Sequence, residues 1–165
     1  NRAKDASMRD NTLAFKEGNI DVVQVFEPYA EELIDAGGHI WHSFSKRGDI
    51  AFTTFYSTRD FVEKQRSTCK ALIRAMNTSL KRLHDTPERE IANIIGPKYF
   101  PELKVSSYEN IIRRYKMAEL WPKTTALPAD AFVRLKASLL SGGLIKEDIP
   151  YNIVIDQELS DPENA

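Results

Sequence analysis

One carboxylate, Glu27, stands where ligand chemistry is expected. It directly follows the apolar run 20–26 and directly precedes Pro28, and proline is favoured at the first position of a helix. The run is short, β-branched and aromatic, which is typical of a strand buried on both faces of a sheet. Ligands of open α/β sheets collect at the carboxyl ends of strands, where a helix N-terminus keeps a nearby carboxylate ionised. The pattern predicts that Glu27 contacts a ligand, and the alternative is that it only caps its helix.

Aromatic and hydroxyl side chains accompany this carboxylate at the ends of predicted strands. Phe26 and Tyr29 flank the Glu27-Pro28 pair, while Thr54 and Tyr56 lie at the end of a later apolar run, 50–56. Aromatic walls with a few placed polar groups are typical of small-molecule clefts. We therefore predict ligand contacts for these four residues, with core packing as the favoured alternative for Phe26.

Other reaction chemistry finds little support in the residues. His39 and His42 would point to opposite faces of a strand, so they cannot hold one metal ion together. Cys69 lies on the apolar stripe of a predicted helix, and no Gly-x-Ser-x-Gly elbow occurs. The glycine pairs at 37–38 and 142–143 follow helices, so they read as helix ends and not as phosphate loops. We expect no enzyme activity, no metal and no cofactor.

Composition indicates a globular chain with balanced charge. Its 165 residues are 42% hydrophobic and 28% charged, which fits one domain with a sizeable core. Lys and Arg number 23 against 24 Asp and Glu, so bulk charge gives no reason to expect nucleic acid as a partner. The pairs Lys81-Arg82 and Arg113-Arg114 are interpreted as solvated helix faces. Because the chain starts at Asn1 and not at Met, we expect an N-terminal portion to be missing.

The predicted elements are three strands followed by a helical half. The strands are 20–26, 39–44 and 50–56, and residues 151–155 are predicted to be extended. Helices are predicted after a capping box at Ser7, after Pro28, from 57–60 onward, from 86–88 to a break at Gly96-Pro97, after a capping box at Ser106, and after Pro128. The polar end of the chain is expected to be mobile. Three strands make a thin sheet, and the wide apolar faces of the helices need a cover, so we expect a partial protein.

Two motifs resemble the solute-binding proteins of ABC importers in the nitrate, sulfonate, taurine and thiamine-pyrimidine group. The first runs from Gly18-Asn19-Ile20-Asp21 to Phe26-Glu27-Pro28-Tyr29, with Val22 where the family has alanine. The second is the stretch 49–64, which contains Arg59-Asp60-Phe61-Val62-Glu63-Lys64. The likeness covers roughly residues 11 to 155 and corresponds to the C-terminal half of such a protein.

The resemblance implies an α/β chain, the C-terminal half of a type II periplasmic-binding-protein fold with a few-stranded sheet and several helices. Residues 1–50 would finish the second lobe, and residues 51–165 would form the hinge-crossing strand and the C-terminal helices that pack on the absent first lobe. The implied function is to bind a small amine-bearing or heterocyclic solute between two lobes without chemistry. The implied partners are the missing N-terminal half, a membrane permease and an ATPase, in a periplasmic or extracellular setting.

Glu27 would meet a ligand amine, as the acidic residue of this motif does in the taurine-binding branch. Phe26 stands where many relatives have tryptophan, which leaves the pocket size open. Two alternatives remain: a helical module for protein interaction or ligand sensing, and an enzyme similar to thiamine-pyrimidine synthases. The second is weakened because those enzymes carry a Cys-rich motif and this chain has only Cys69.

Overall fold

The structure, a computed structural model, describes residues 6–161, and every regular element in that range is helical. The α-helices, in chain order, are α1 (Met8–Lys16), α2 (Tyr29–Asp35), α3 (Arg59–Lys64), α4 (Arg66–Asp85), α5 (Glu88–Tyr99), α6 (Val105–Met117), α7 (Ala129–Ser141), α8 (Tyr151–Val154) and α9 (Gln157–Ser160). One 3₁₀ helix, Phe44–Arg47, lies between α2 and α3. The four residues after Asp161 and the five before Ala6 lie outside the described range. Of the polar end 156–165 that was expected to be mobile, residues 162–165 lie outside it, and the described part contains α9.

The predicted α/β fold is wrong for the part of the chain that the structure describes. Within residues 6–161 no β-strand is formed, so the chain is not half of a sheet-containing periplasmic-binding-protein fold. The predicted strands 20–26, 39–44 and 50–56 are irregular, and 44–47 is helical instead. Apolar, β-branched sequence is not sufficient for a strand, because a strand also needs a neighbour for its backbone hydrogen bonds. The described residues form no neighbouring strand beside these three segments.

The chain forms two compact units, each built from two separated stretches. Unit 1 comprises residues 6–44 together with Thr86–Ala118, and unit 2 comprises Ser45–Asp85 together with residues 119–161. The predicted lobe division at residue 50 stays a prediction.

Unit 1 centres on the antiparallel neighbours α5 and α6, which follow each other after a short turn. Ile91 and Ala92 of α5 and Ile111 and Ile112 of α6 are buried, and Ala92 is completely inaccessible to solvent. Gly96 of α5 lies next to Tyr108 of α6, since a Cβ at position 96 would be 3.4 Å from the Tyr108 ring, about van der Waals contact. Burial of these apolar side chains is the main stabilising contribution in unit 1.

Helix α2 joins this pair through one apolar residue. Leu33 of α2 is buried, and α2 contacts both α1 and α6. Its short apolar face, predicted from Leu33 and Ile34, therefore packs inward on Leu33. The N-terminal end of α2 is thereby placed beside α6, which is what brings the predicted ligand position near a basic side chain.

Unit 2 is held by a few long-range polar contacts and small buried side chains. The backbone N–H of Ala51 donates to the carbonyl of Ala131 at 3.1 Å, and both alanines are buried. The Arg66 guanidinium bridges to Asp156 at 3.1 Å, which ties α4 to the start of α9. The side chain of Asn77 accepts from the Thr125 N–H at 3.0 Å. These contacts join stretches that are distant in sequence.

Several predicted helix ends are confirmed. Ser7 is the N-cap of α1, with its hydroxyl oxygen accepting from the Asp10 N–H at 3.1 Å. The long helix predicted from 57–60 is present as α3 and α4, which are separated at Gln65. Pro128 is the residue that precedes α7.

Other predicted boundaries are wrong. Pro97 does not break α5 but lies inside it, two residues before the helix ends at Tyr99. The capping box predicted at Ser106 is absent, because α6 already begins at Val105 and Ser107 is buried inside it. Residues 151–155, predicted to be extended, contain the short helix α8. Tertiary packing overrides these local signals.

Candidate functional site

Glu27 is fixed in place through both of its carboxylate oxygens. Its Oε2 accepts from the Glu31 backbone N–H at 2.9 Å, which satisfies one of the unpaired donors in the first turn of α2. Its Oε1 accepts from Nε and Nη2 of Arg114, at 2.9 and 2.8 Å respectively. The Glu27-Pro28 peptide bond is cis. Glu27 therefore caps its helix, as the alternative interpretation predicted, and also forms an ion pair with α6.

A second carboxylate, Glu31, shares the same guanidinium. Nη2 of Arg114 donates to Oε2 of Glu31, and Nδ2 of Asn110 donates to Oε1 of Glu31 at 3.0 Å. We name Glu27, Glu31, Asn110 and Arg114 the Glu27–Arg114 cluster. All four residues belong to unit 1. The cluster joins the start of α2 to α6.

The α6 sequence explains why Arg114 points toward the carboxylates. Residues three and four positions apart lie on the same helix face, so Arg114 shares a face with Asn110 and with the buried Ile111. Its neighbour Arg113 donates to Glu109 at 2.6 Å and to Oδ1 of Asn110 at 3.1 Å, bonds neither carboxylate of the cluster, and has half of its side chain exposed. The predicted solvated role therefore describes Arg113 and does not describe Arg114.

The charges of the cluster affect the pKa of Arg114. Partial burial disfavours the charged guanidinium, but hydrogen bonds to Glu31 and Glu27, together with their negative charges, outweigh this and raise the pKa of Arg114. The adjacent Tyr115 hydroxyl has a pKa raised by burial, against an opposing hydrogen bond with the Glu27 backbone. Arg114 is thus a permanent cation, and Tyr115 holds a neutral phenol against the backbone of Glu27.

Solvent reaches this cluster through Arg114 and hardly through the carboxylates. The side chain of Arg114 is 27% exposed, compared with 8% for Glu27 and 3% for Glu31. Arg114 has five N–H donors. Among residues 6–161, the hydrogen bonds and ion pairs of this side chain with Glu27 and Glu31 use Nε and Nη2 and do not use Nη1. Of these three charged side chains, that of Arg114 is therefore the most accessible to a solute.

The remaining predicted ligand residues fall into different units. Phe26, which is 51% exposed, and the half-buried Tyr29 adjoin the Glu27–Arg114 cluster along the chain. Thr54 and Tyr56 lie in unit 2 on an exposed segment, with Tyr56 at 96% exposure. Ligand contact stays a prediction for all five residues, including Glu27.

Sequence reasoning missed Arg114, Glu31 and Asn110. A signal for Arg114 was available, because it lies three positions after Ile111 on an apolar helix face where a solvated arginine is not expected. A signal for Glu31 was also available, because it lies four positions after Glu27. A carboxylate just before a helix can accept a hydrogen bond from a backbone N–H in the first turn. The position of Glu27 before α2 therefore indicated a contact between its carboxylate and the Glu31 N–H.

Exposed apolar side chains are concentrated in the irregular segments that were predicted to be strands. The largest exposures there belong to Val22, Ile40, Trp41, Phe52, Phe55 and Tyr56, all above half of the side chain. Val22, Ile40 and Trp41 belong to unit 1, and Phe52, Phe55 and Tyr56 belong to unit 2. Large exposed apolar side chains that lie close together in sequence are candidates for contacts with a partner.

A further candidate site is an open depression of about 470 Å³ in unit 2. It is lined by Asn77, Lys81, His84, Asp85, Lys123 and Thr124, and none of the predicted ligand residues lines it. Residues 6–161 contain no group of three or more His, Cys, Asp or Glu side chains placed to hold a metal ion. No helix in that range is long and apolar enough to cross a membrane.

Comparison with known proteins finds one distant relative. The chain is 25% identical over 150 residues to a Bacillus subtilis (strain 168) protein named "Putative binding protein YtlA". The matched region is 90% of this chain and 45% of YtlA, so the chain spans less than half the length of that relative. No family model and no solved structure matches the chain. The name of YtlA describes a binding role for that protein and specifies no ligand.

Proposed function

We propose that this chain binds a small solute, as part of the substrate-binding component of an ABC importer, and performs no chemistry on it. The observation that carries the proposal is the Glu27–Arg114 cluster. It is a set of partly buried, mutually bonded polar side chains located where the Phe26-Glu27-Pro28-Tyr29 motif predicts ligand contact. The similarity to YtlA supports the coarser part of the proposal, a binding role.

A further polypeptide segment is part of this proposal. The irregular segments expose Trp41 and Phe52 at 86% and 74%, and surface of that kind needs a cover to remain soluble. YtlA is more than twice as long as the region it shares with this chain, which supports a second segment of similar size as the cover. A permease and an ATPase complete the proposed importer, and the binding component works in the periplasm or outside the cell.

The exposed apolar segments also favour a second candidate, a helical module that binds a protein partner. The two candidates differ in what stabilises the protein. A solute-binding protein gains stability from a small molecule, because binding to the folded state raises the free energy of unfolding. A protein-interaction module gains stability only from its partner.

A thermal-shift screen on the natural gene product that carries this sequence tests the proposal. The screen uses taurine, ethanesulfonate, nitrate, cytosine and uracil. One of these solutes, or a close analogue, is expected to raise the melting temperature by several degrees at a concentration about 100 times its dissociation constant, which corresponds to about 2.7 kcal/mol. A flat response to all solute classes, combined with stabilisation by a protein partner, would favour the interaction module.

A further inference from the structure

We propose that Arg114 is the ligand-contacting residue of the Glu27–Arg114 cluster and that its Nη1 donates to an uncharged acceptor, a carbonyl oxygen or a ring nitrogen. Glu27 and Glu31 then act as positioning residues that hold the guanidinium. This inference rests on the proposed function and specifies the ligand class at the same site. It follows from three observations: which group is exposed, which donors are engaged, and what charge the cluster carries.

Exposure singles out Arg114 within the cluster, and the donors already engaged single out Nη1 of its guanidinium. Arg114 is 27% exposed while the Glu27 and Glu31 side chains are nearly inaccessible, so a solute reaches the arginine first. Nε and Nη2 point at the carboxylates. The guanidinium is planar, so fixing those two nitrogens fixes the direction of Nη1 as well. Arg114 is therefore oriented before any solute arrives, which reduces the entropy cost of binding.

The net charge of the Glu27–Arg114 cluster decides which kind of acceptor Nη1 can donate to. Two carboxylates share one guanidinium, which leaves the cluster with one negative charge in a partly buried setting. The cation Arg113 pairs with Glu109 and reaches the cluster only through the neutral amide of Asn110, to which its Nη1 donates at 3.1 Å, so the two carboxylates are the charges that bond Arg114 directly. A sulfonate or nitrate at Nη1 would be attracted by the one guanidinium charge and repelled by the two carboxylates bonded to it, and this repulsion is only weakly screened in a partly buried setting. An uncharged acceptor takes the hydrogen bond without this repulsion.

The test uses the natural gene product and titration calorimetry with cytosine, uracil, ethanesulfonate and nitrate. Arg114→Lys keeps the positive charge next to Glu27 but removes the Nη1 donors. We expect it to weaken binding of the uncharged heterocycle by about tenfold or more, as for loss of a charge-assisted hydrogen bond. Arg89→Lys on α5, where the exposed guanidinium pairs with Glu109 at 3.0 Å, is the matched control and should change the dissociation constant by less than about twofold.

A second variant tests separately whether the net charge of the cluster selects an uncharged ligand. Glu31→Gln makes the cluster neutral, so affinity for ethanesulfonate relative to cytosine should rise by about tenfold. A merely structural role of the cluster would weaken both ligands equally. This ratio also decides the matter if Arg114→Lys does not fold.

The outcomes separate this inference from the proposed function. If a solute binds and Arg114→Lys leaves its affinity unchanged, the inference is wrong and the proposed function stands. The inference is also wrong, and the proposed function stands, if the wild type binds ethanesulfonate or nitrate more tightly than the heterocycles. The same holds if Glu31→Gln leaves the affinity for ethanesulfonate relative to cytosine unchanged. If no small solute binds the wild-type protein, both the proposed function and the inference are wrong.

Discussion

The role of Glu27 depends on a partner 87 positions further along the chain. The local sequence places the carboxylate at a helix start, which both the capping and the ligand interpretations require. Only the packing of α2 beside α6 adds Arg114 and leaves Glu27 8% exposed. A residue that local sequence presents as a counter-ion for a ligand is thereby supplied with a counter-ion from the protein itself.

Glu27→Gln is expected to lower the free energy of unfolding by about 1 to 2 kcal/mol. The amide can keep one acceptor, but the ion pair with Arg114 is lost from a nearly buried position. Chemical denaturation at neutral pH measures this. The control is Glu32→Gln on the same helix, where the pair with Lys16 is half exposed on the glutamate side and should contribute less than about 1 kcal/mol. Equal effects in both variants would contradict the structural role of Glu27.

Within elements, the sequence predicted helices better than strands. The Ser7 cap and the start of α7 after Pro128 depend on neighbouring residues, so local chemistry determines them. The strands 20–26 and 50–56 depend on partners elsewhere, and no local pattern reports whether a partner is present. The same limit applies to the site, because the Phe26–Tyr29 motif was visible in the sequence and the Arg114 contact was not.

The buried contacts between α5 and α6 should contribute most to the free energy of unfolding of unit 1. Ile112 is 2% exposed, so Ile112→Ala is expected to cost about 2 to 5 kcal/mol through lost burial and the cavity left behind. Ile94 of α5 is 58% exposed, and Ile94→Ala should cost less than about 1 kcal/mol. Chemical denaturation of both variants checks the difference. A larger loss for Ile94→Ala would mean that the α5–α6 packing described here is wrong.

A pH-dependent contact also links these two helices. The pKa of Glu88 is lowered, first by a hydrogen bond with its own backbone N–H and further by Lys116, whose Nζ lies 3.3 Å away. A lowered folded-state pKa stabilises the protein above the unfolded-state pKa, and this contribution is lost as the pH falls through the folded-state pKa. The wild type should therefore be more stable than Glu88→Gln at pH 7, by less than about 1 kcal/mol because solvent screens the pair.

Denaturation of Glu88→Gln and the wild type at pH 7 and at about pH 3 provides the measurement, with the lower value chosen below the ordinary glutamate pKa. The difference between the two proteins should shrink at the lower pH. A difference that is the same at both pH values would show that Glu88 does not contribute through its charge.

For the molecule as a whole, the exposed apolar segments are the feature that most requires an explanation. We expect a further polypeptide segment to cover Trp41 and Tyr56 in the natural gene product, although they are 86% and 96% exposed in residues 6–161. Hydroxyl-radical footprinting with mass spectrometry should then find both residues protected. Tyr99 at the end of α5, 62% exposed, is the control that should stay reactive. Full reactivity of Trp41 and Tyr56 would contradict the proposed cover.

Titration calorimetry of the natural gene product tests the central claim most directly, when it is followed by analysis of the recovered solute. Binding without chemistry predicts a saturable heat with one solute per protein, and a solute that is chemically unchanged after prolonged incubation. No heat with any of taurine, ethanesulfonate, nitrate, cytosine or uracil and their close analogues, or conversion of the bound solute into a product, would contradict the claim.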